Sequence, residues 1–512
     1  MGAGLPASRA RAAVRFACAL AIAAAAGVGT AGQAPATAEE FARRQYESGL
    51  EFLRTGKDVE ALKDFRAVVD SYPGTSVADD ALLAIAQYQL DVSRDFAAAQ
   101  ASAESLLKRF PASDSIAMAY VIAGQAMVAQ GMTPARVDAA LASFERVSRL
   151  FVGTEAVAPA LFAAGDTLRR LDRCGEAVER FMQLEMEYPR SRWASRARLS
   201  GAACDAAAGR PLEAMARLQR VVAVERDAAE GAAARALNTI LYRLYVRAPA
   251  QSAWTFANRV FAGPGGRLRD VTGLAVGPSG TVYVGTRTGV QVLDGQGTVV
   301  RAIPSAAEAR AMVLDASERV LLAQRAVLQL EAAGGGPSLV TLTVPRDGSP
   351  SRVVDDIGAL GALSTGERLV ADRGQRAVYR FDAQGKFVGP FATGRISRIA
   401  VGPSDEVALL DRDQKTVSLV DRSGKLLVRV AAKGTGWAFD NPTDVALDAF
   451  GHLYVLDRSS LHVFTRAGSL VTSFSPPDRS PGAFRTAGAL ALDDAGRLFI
   501  FDERAERVQV YQ

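Results

Sequence analysis

The feature that most constrains the fold is a repeat in the first half of the chain. An aromatic residue followed by proline recurs at Pro73, Pro111 and Pro189, at intervals of 38 and 78 residues. A degenerate copy around Phe151 divides the longer interval into two similar parts. Proline lacks an N–H group and disfavours helical geometry in the residue before it, so each copy marks a helix end. A single helical hairpin cannot bury its apolar face alone, so this repeat predicts a stack of hairpins.

The residues between these helix ends complete the helical pattern. Alanine is followed four positions later by phenylalanine at Ala61/Phe65, Ala140/Phe144 and Ala177/Phe181. Further amphipathic helices are predicted at segments such as Asp80–Val92 and Ala156–Leu171. The alanines let paired helices approach closely, the aromatic ring fills the space between hairpins, and the Ser, Thr or Asp after each proline can cap the next helix. We therefore predict an α-solenoid over residues 40–250, with a cap formed by the last helices, about 228–257, which lack the proline signal.

The N-terminal residues 1–38 have the organisation of an export signal. Three arginines without an acidic residue are followed by an apolar stretch over Phe16–Val28 and then by small residues, with cleavage fitting within residues 31–38. The apolar stretch is shorter than the roughly 20 residues that a membrane span needs. We predict cleavage rather than a retained anchor, no membrane span afterwards, and a periplasmic or secreted protein. Lipid attachment at Cys18 is not indicated, because the residues before it lack the aliphatic side chain of a bacterial lipobox.

The helical repeats resemble tetratricopeptide repeats. The variant with an aromatic residue, proline and a nearby serine, placed directly after an export signal, is similar to bacterial envelope proteins of the outer-membrane-assembly and Tol–Pal-associated types. This resemblance covers about 200 residues. It implies a concave groove that holds a peptide or protein partner.

Two cysteines would remain in the exported chain, Cys174 and Cys204. An oxidising compartment favours a disulfide between such a pair, and the predicted hairpins place the two cysteines in neighbouring repeats. The other interpretation is that both are small, buried apolar side chains. The sequence leaves both interpretations open.

The pattern changes near Pro249, where alternating apolar residues and glycine-rich turns replace the helical periodicity. Six copies of a two-strand segment align within residues 254–512, and they begin at Gly273, Ala311, Gly361, Arg398, Asp444 and Gly488. Each copy is followed by a third strand. A fourth strand follows in the first five copies and ends near Ile303, Val344, Phe391, Val430 and Phe474. Four strands repeated six times predict a six-bladed β-propeller.

The residue pattern of these copies resembles NHL repeats, and this resemblance implies a propeller face that binds a protein or a glycan. The sixth copy stops after its third strand, at Gln512. Asn258–Phe261 precedes the first copy and has the character of a fourth strand. We therefore predict that a strand near 256–262 completes the last blade, which would remove an exposed sheet edge.

Four copies end their second strand in aspartate, namely Asp372, Asp411, Asp457 and Asp502. A ring of ligand-binding charges is one interpretation. The favoured interpretation is structural, because aspartate commonly accepts backbone N–H bonds within a turn. Thr286 and Gln324 occupy the equivalent positions of the first two copies, so a ring would be incomplete.

Residues for catalysis are scarce. His452 and His462 are the only histidines, and both are interpreted as strand residues. The chain contains none of the common zinc, thiol-redox, serine-nucleophile or phosphate-loop motifs. We therefore predict no catalytic residue, cofactor or metal ligand, although a calcium site made of carboxylates alone in the propeller channel stays open. Residues 39–251 carry 27 basic and 28 acidic side chains and residues 252–512 carry 30 and 27, so binding to nucleic acid is not expected either.

These observations favour an exported, non-catalytic scaffold whose helical groove holds a peptide or protein while its propeller binds a second protein or a glycan. One alternative is a metal-dependent propeller hydrolase or lyase with the helices as a targeting module. Another is an extracytoplasmic sensor module. The propeller channel distinguishes the first two: converging carboxylates would favour an enzyme, whereas an apolar or arginine-lined channel would favour binding.

Overall fold

The computed structural model describes most of the chain after its N-terminal segment. The described residues are 37–247, 252–331, 337–346, 349–431, 438–477 and 480–512. The export signal predicted for residues 1–38 lies almost wholly outside them. The chain divides into two compact units, residues 1–160 and residues 161–512. Within the described ranges, no helix is both long and apolar enough to span a membrane.

Eleven α-helices precede the first strand in the described residues. They are α1 Ala38–Arg54, α2 Asp58–Ser71, α3 Ala78–Asp91, α4 Phe96–Arg109, α5 Ile116–Ala129, α6 Pro134–Leu150, α7 Val157–Arg170, α8 Cys174–Glu187, α9 Arg192–Ala207, α10 Pro211–Val224 and α11 Ala229–Leu241. A π-helical turn, Tyr242–Val246, extends the last of them. The predicted solenoid-like region of helical hairpins is confirmed.

The aromatic residues before the prolines end their helices as predicted. Tyr72, Phe110 and Tyr188 each have non-helical backbone angles, while their N–H groups still bond to the carbonyl four residues earlier. The capping prediction holds only for Ser191, whose hydroxyl accepts the N–H of Trp193 at the start of α9. Ser115 makes no cap bond, because its backbone is already helical where a capping residue is usually extended, and its hydroxyl donates to Asp80 on α3 (3.0 Å).

The phenylalanines of the repeat lie inside their hairpins rather than only between hairpins, which corrects the sequence-based expectation. Each is buried against a glycine of the preceding helix, in the pairs Gly49/Phe65, Gly124/Phe144 and Gly165/Phe181. A Cβ atom at these glycines would overlap the aromatic ring. The close approach of the two helices therefore depends on a missing side chain as much as on alanine.

The described residues that follow contain 26 β-strands. The strands of the first half are β1 Phe256–Phe261, β2 Val271–Val276, β3 Val282–Thr286, β4 Gly289–Leu293, β5 Val299–Pro304, β6 Ala311–Leu314, β7 Val320–Ala323, β8 Val327–Glu331, β9 Pro337–Thr341, β10 Thr343–Arg346, β11 Ser349–Val353, β12 Ile357–Ala362 and β13 Arg368–Asp372. Those of the second half are β14 Ala377–Phe381, β15 Phe387–Thr393, β16 Ile396–Val401, β17 Val407–Asp411, β18 Thr416–Val420, β19 Leu426–Val430, β20 Pro442–Leu447, β21 Leu453–Asp457, β22 Ser460–Phe464, β23 Leu470–Phe474, β24 Ala487–Leu492, β25 Leu498–Asp502 and β26 Arg507–Tyr511.

These strands build the predicted six-bladed β-propeller. Five blades are consecutive antiparallel sheets, β2–β5, β6–β9, β12–β15, β16–β19 and β20–β23. The sixth has the order β1-β26-β25-β24, so its outer strand comes from the start of the propeller. Val260 of β1 pairs with Gln509 of β26, and Thr255 and Gln512 exchange two backbone hydrogen bonds beside them. This is the segment that the sequence analysis assigned to closure.

The second blade differs from its prediction. Its fourth strand ends at Thr341, and Val344, which was expected to end it, belongs to an additional hairpin of β10 and β11. Leu342 and Val354, on either side of this hairpin, are fully buried. The apolar pattern thus continues past the blade because the hairpin contributes to the same core.

Candidate functional site

The propeller presents two different faces. The links between blades and the turns between second and third strands lie on one face, which we call the arginine face. Each blade places an arginine near the start of the latter turn, and these are Arg287, Arg325, Arg373, Arg412, Arg458 and Arg504. The turns between first and second strands and between third and fourth strands lie on the opposite face. We call it the helix face, because the last helices pack on it.

The end of α7 is attached to the helix face by charged and polar contacts. Arg169 donates to the hydroxyl of Ser404 (2.8 Å), and Arg170 donates to that of Ser364 (2.9 Å). The Arg170 guanidinium also lies 3.5 Å from the carboxylate of Asp405, which is almost fully buried. Ser364 satisfies the same carboxylate with its N–H and hydroxyl groups. These contacts hold the turns of the third and fourth blades against the helix.

A buried polar chain attaches the π-helical turn to the fifth blade. The Tyr245 hydroxyl bonds to Nε2 of His452 (2.7 Å), whose Nδ1 lies 2.8 Å from the carboxylate of Asp448. Tyr454 donates to the same carboxylate. Burial raises the pKa of Tyr245 to about 12, so this hydroxyl stays protonated at neutral pH. His452 was expected within a strand, but it precedes β21 and connects helix to propeller.

Trp254 lies at the centre of this junction. Its ring is 1% exposed and packs near Tyr454 and Phe474, at centroid distances of 6.0 and 5.9 Å. Its Nε1 donates to the carbonyl of Gly496 in the sixth blade (3.0 Å). One apolar cluster therefore runs from α9–α11 into the fifth and sixth blades.

The four strand-ending aspartates support the turns of the arginine face. Asp372, Asp411 and Asp502 accept backbone N–H groups from the turn that follows each of them, at 3.0–3.1 Å. Asp457 differs, since it accepts the N–H groups of Asp440 and Asn441 in the preceding link between blades. Each of the four carboxylates therefore has backbone partners within its own blade or the link that precedes it.

The central channel is lined by the first strands of all six blades. It contains a cavity of about 230 Å³, whose lining residues are mostly aliphatic while about half of its exposed surface is polar. The polar side chains of the wall are Thr272, Ser397, Arg398 and Asp444. Asp444 is buried, accepts the N–H groups of Val445 and Leu490 at 2.9 Å, and lies 3.5 Å from Nε of Arg398. Burial raises the pKa of Asp444, and the neighbouring guanidinium opposes this effect.

Sequence reasoning did not single out Arg398 and Asp444 as a pair. They hold equivalent positions in adjacent first strands, opposite Leu410 and Leu456 of the second strands. The other blades have Gly273, Ala311, Ala359 and Ala489 at the corresponding position. Two charges at an otherwise small or apolar position of the repeat were the available signal.

Arg373 stands at the mouth of the channel on the arginine face. Its side chain folds over Gly358 of the channel wall, where a Cβ atom would overlap it, and donates to the Gly358 carbonyl (3.4 Å). Burial lowers the pKa of Arg373, and nearby arginines lower it further while Asp356 raises it. Among the ion pairs between described residues, none includes Arg373, because Asp356 pairs with Arg310 instead (2.6 Å).

A second concavity of about 430 Å³ lies on the arginine face beside the first blade. Arg267, Arg269 and Arg287 line it, and each has a carboxylate partner at 3.2–3.7 Å. Their side chains are 60–67% exposed, so water screens these charges strongly. This concavity is a basic surface with its charges already compensated.

The helical region contains the disulfide that the sequence left open and a separate group of carboxylates. Cys174 at the start of α8 and Cys204 on α9 form a disulfide, with a Cα–Cα distance of 5.3 Å. Among the described residues, the carboxylates of Asp79, Asp80 and Asp114 form the one group with a spacing that could hold a metal ion. It lies in the first unit, so no such group occurs in the described part of the propeller.

Comparison with known proteins matches residues 38–200 to the family described as YfiO, outer membrane lipoprotein. No curated protein sequence matches the chain. Three solved structures are similar to the propeller half at low identity. A streptogramin B lyase is 10% identical, with 50% of this chain and 96% of that chain covered and a TM-score of 0.37. A gluconolactonase from Xanthomonas campestris is 18% identical, with 52% of this chain and 98% of that chain covered and a TM-score of 0.38. A calcium-binding protein, regucalcin, from Agrobacterium tumefaciens is 15% identical, with 50% of this chain and 93% of that chain covered and a TM-score of 0.35.

The family match coincides with the first part of the solenoid-like region, from the start of α1 into α9. The six-bladed architecture rests on the strand pairing of this chain itself. Residues 38–200 thus form tetratricopeptide-like helical hairpins that are similar to the YfiO family, and a six-bladed β-propeller follows them in the same chain.

Proposed function

We propose that the protein is a non-catalytic scaffold of the bacterial cell envelope. Its helical hairpins hold a peptide or protein partner, and the arginine face of its propeller binds a second protein or a glycan. The observation that carries this proposal is the position of the last helices. Their contacts lie on the helix face, which leaves the opposite face and its six arginine turns for a partner.

The chemistry of the channel supports binding over catalysis. The sequence-based alternative, a metal-dependent hydrolase or lyase, requires carboxylates that converge on one point. Asp444 in the channel wall is instead bonded to two backbone N–H groups and faces Arg398. A carboxylate held in this way is occupied by neutral and cationic partners from its own fold.

The envelope location is supported by two independent features. The first is the export-signal pattern of residues 1–38. The second is the match of residues 38–200 to a family described as an outer membrane lipoprotein. Lipid attachment is not part of the proposal, because the only N-terminal cysteine, Cys18, lacks a lipobox. Mass spectrometry of the N-terminus of the purified protein tests both points.

Site-specific photo-crosslinking in the living cell tests the scaffold function on the whole chain. A photoreactive residue replaces Arg412 on the arginine face in one variant and Phe41 on α1 in another, and both positions are exposed. Val300, exposed on the outer strand β5, serves as the control position. We expect a defined adduct from each of the two surfaces and none from the control. Adducts that are equally frequent from Val300, or no adduct at all, would contradict the proposal.

A further inference from the structure

The channel mouth on the arginine face combines a cavity lined mostly by aliphatic residues with a cation that forms no ion pair with another described residue. Four guanidinium groups interact electrostatically at this point, those of Arg310, Arg373, Arg395 and Arg398. Three of them have a carboxylate within 4 Å in ion pairs with Asp356, Asp413 and Asp444. Among the described residues, Arg373 is the member of the group without such a pair.

The geometry holds Arg373 at this point rather than letting it extend into water. Its guanidinium bonds to the carbonyl of Gly358, and the absence of a side chain at Gly358 makes room for it. Arg373 is partly buried, whereas its neighbour Arg376 in the same turn is exposed. A partly desolvated cation surrounded by like charges is stabilised by an anion that reaches it.

The cavity beside Arg373 indicates which group a ligand would carry in addition to its anion. Gly358 and Arg398 belong to the channel wall, and Arg373 bonds to Gly358, so the cation lies beside the cavity. The wall also carries aliphatic side chains such as Leu274, Ile399 and Leu447. A volume of about 230 Å³ equals roughly seven or eight water-sized groups. Small-molecule sites are commonly apolar cavities with a few polar groups that fix the orientation.

We propose that the arginine-face mouth of the channel binds a small amphiphilic carboxylate, with its carboxylate group on Arg373 and its short aliphatic chain in the channel. A guanidinium offers two parallel N–H donors, which match the two oxygens of a carboxylate. This inference goes beyond the scaffold function, because it concerns a small molecule rather than a macromolecular partner.

Isothermal titration calorimetry of the full-length protein with hexanoate tests the site. Acetate has the same anionic group without the chain, and hexanol has the chain without the charge. We expect saturable binding of hexanoate and much weaker binding of both controls. Equal affinity for acetate would show that the channel is not used, and equal affinity for hexanol would show that the cation is not used. Either result, or no binding of hexanoate, overturns the proposal.

Variants assign the binding to Arg373. We expect Arg373→Gln to weaken hexanoate binding about tenfold or more, since a hydrogen bond to a charged group contributes about 1.5–3 kcal/mol. Arg376→Gln removes the same charge from the same turn and should leave the affinity unchanged. Gly358→Ala keeps every charge but displaces the Arg373 side chain, so it should also weaken binding. Folded Arg373→Gln and Gly358→Ala proteins, checked by circular dichroism, that bind hexanoate like the unaltered protein would refute the site, whatever the crosslinking shows.

Discussion

At the scale of single residues, the histidines illustrate how burial assigns a role. His462 bonds to the hydroxyls of Ser460 (3.0 Å) and Ser473 (2.9 Å) through its two ring nitrogens. His452 is likewise bonded at both nitrogens, within the chain that joins helix and propeller. A ring whose two nitrogens are used within the fold is poorly suited to act as a general base or metal ligand. Both histidines thus stabilise the fold.

The first prediction concerns the pH dependence of stability at His462. Burial lowers the pKa of His462 below its ordinary value of 6.5, with Asp457 opposing this shift. The unfolded chain therefore binds the proton more readily, and the free energy of unfolding should decrease as pH falls through about 6.5. Urea unfolding of the unaltered protein and of His462→Gln at pH 7.5 and pH 5.5 checks this. The variant should lose less stability on acidification, and an equal loss in both proteins would contradict the prediction.

At the scale of elements, the packing between helices depends on single contacts that are not evident from the repeat pattern. Gly165 of α7 lies against the Phe181 ring of α8, and Phe162 packs on the same ring from one turn earlier. The backbone of Gly165 has ordinary helical geometry, so its role is space rather than conformational freedom. Adding one methyl group there should push the two helices apart.

We expect Gly165→Ala to lower the free energy of unfolding by about 1–3 kcal/mol, the usual cost of overpacking a core. Gly175→Ala is the matched control, since nothing lies within 4 Å of a Cβ at Gly175 in α8. This control should show no loss, because alanine is intrinsically more favourable than glycine in a helix. Urea unfolding followed by circular dichroism measures both. A stable Gly165→Ala protein would mean that the Phe181 ring can move aside.

The disulfide connects α8 of this hairpin to α9 of the next one. It closes a loop with a sequence separation of 30 residues between Cys174 and Cys204. A crosslink of this length contributes about 2–4 kcal/mol, largely through the unfolded chain. We expect the double variant Cys174→Ser, Cys204→Ser to melt at a lower temperature. A thiol reductant should bring the unaltered protein to the same melting temperature and leave the variant unchanged. A reductant that affects both equally would contradict this account.

At the scale of the whole molecule, the second compact unit combines helices and propeller around one core. The apolar cluster that contains Trp254 includes side chains of α9–α11 as well as of the fifth and sixth blades. The Trp254 Nε1 bond to Gly496 and the Tyr245–His452 bond add directional contacts to this cluster. A shared core makes these elements unfold together, because opening either part exposes the same apolar surface.

We expect Trp254→Ala to remove this coupling and to lower the free energy of unfolding by about 3–5 kcal/mol. Hydrogen exchange followed by mass spectrometry should show similar protection of α11 and β21 in the unaltered protein. In the variant, α11 should exchange first. Val300→Ala, at a position that is 60% exposed on β5, should change neither. Unchanged, concerted exchange in Trp254→Ala would show that another contact carries the coupling.

The periodic parts of this protein were determined by its sequence. Tyr72 and Tyr188 before proline predicted helix ends, and the six copies of the two-strand segment predicted the blades, because both depend on backbone rules that act within a few residues. The completion of the last blade also followed from counting strands, since an edge without a partner is costly.

The candidate site depended on contacts between residues far apart in the sequence, so only the tertiary structure determined it. Arg373 follows a strand-ending aspartate like other arginines of the repeat, and its place over Gly358 arises from the packing of two strands. Arg398 and Asp444 lie 46 positions apart in the chain and meet because adjacent blades bring their first strands together. The extra hairpin around Val344 and the attachment of the helices to one propeller face have the same origin. A local sequence pattern determines whether a helix or a strand forms. Which side chains that element then contacts depends on distant parts of the chain that fold against it.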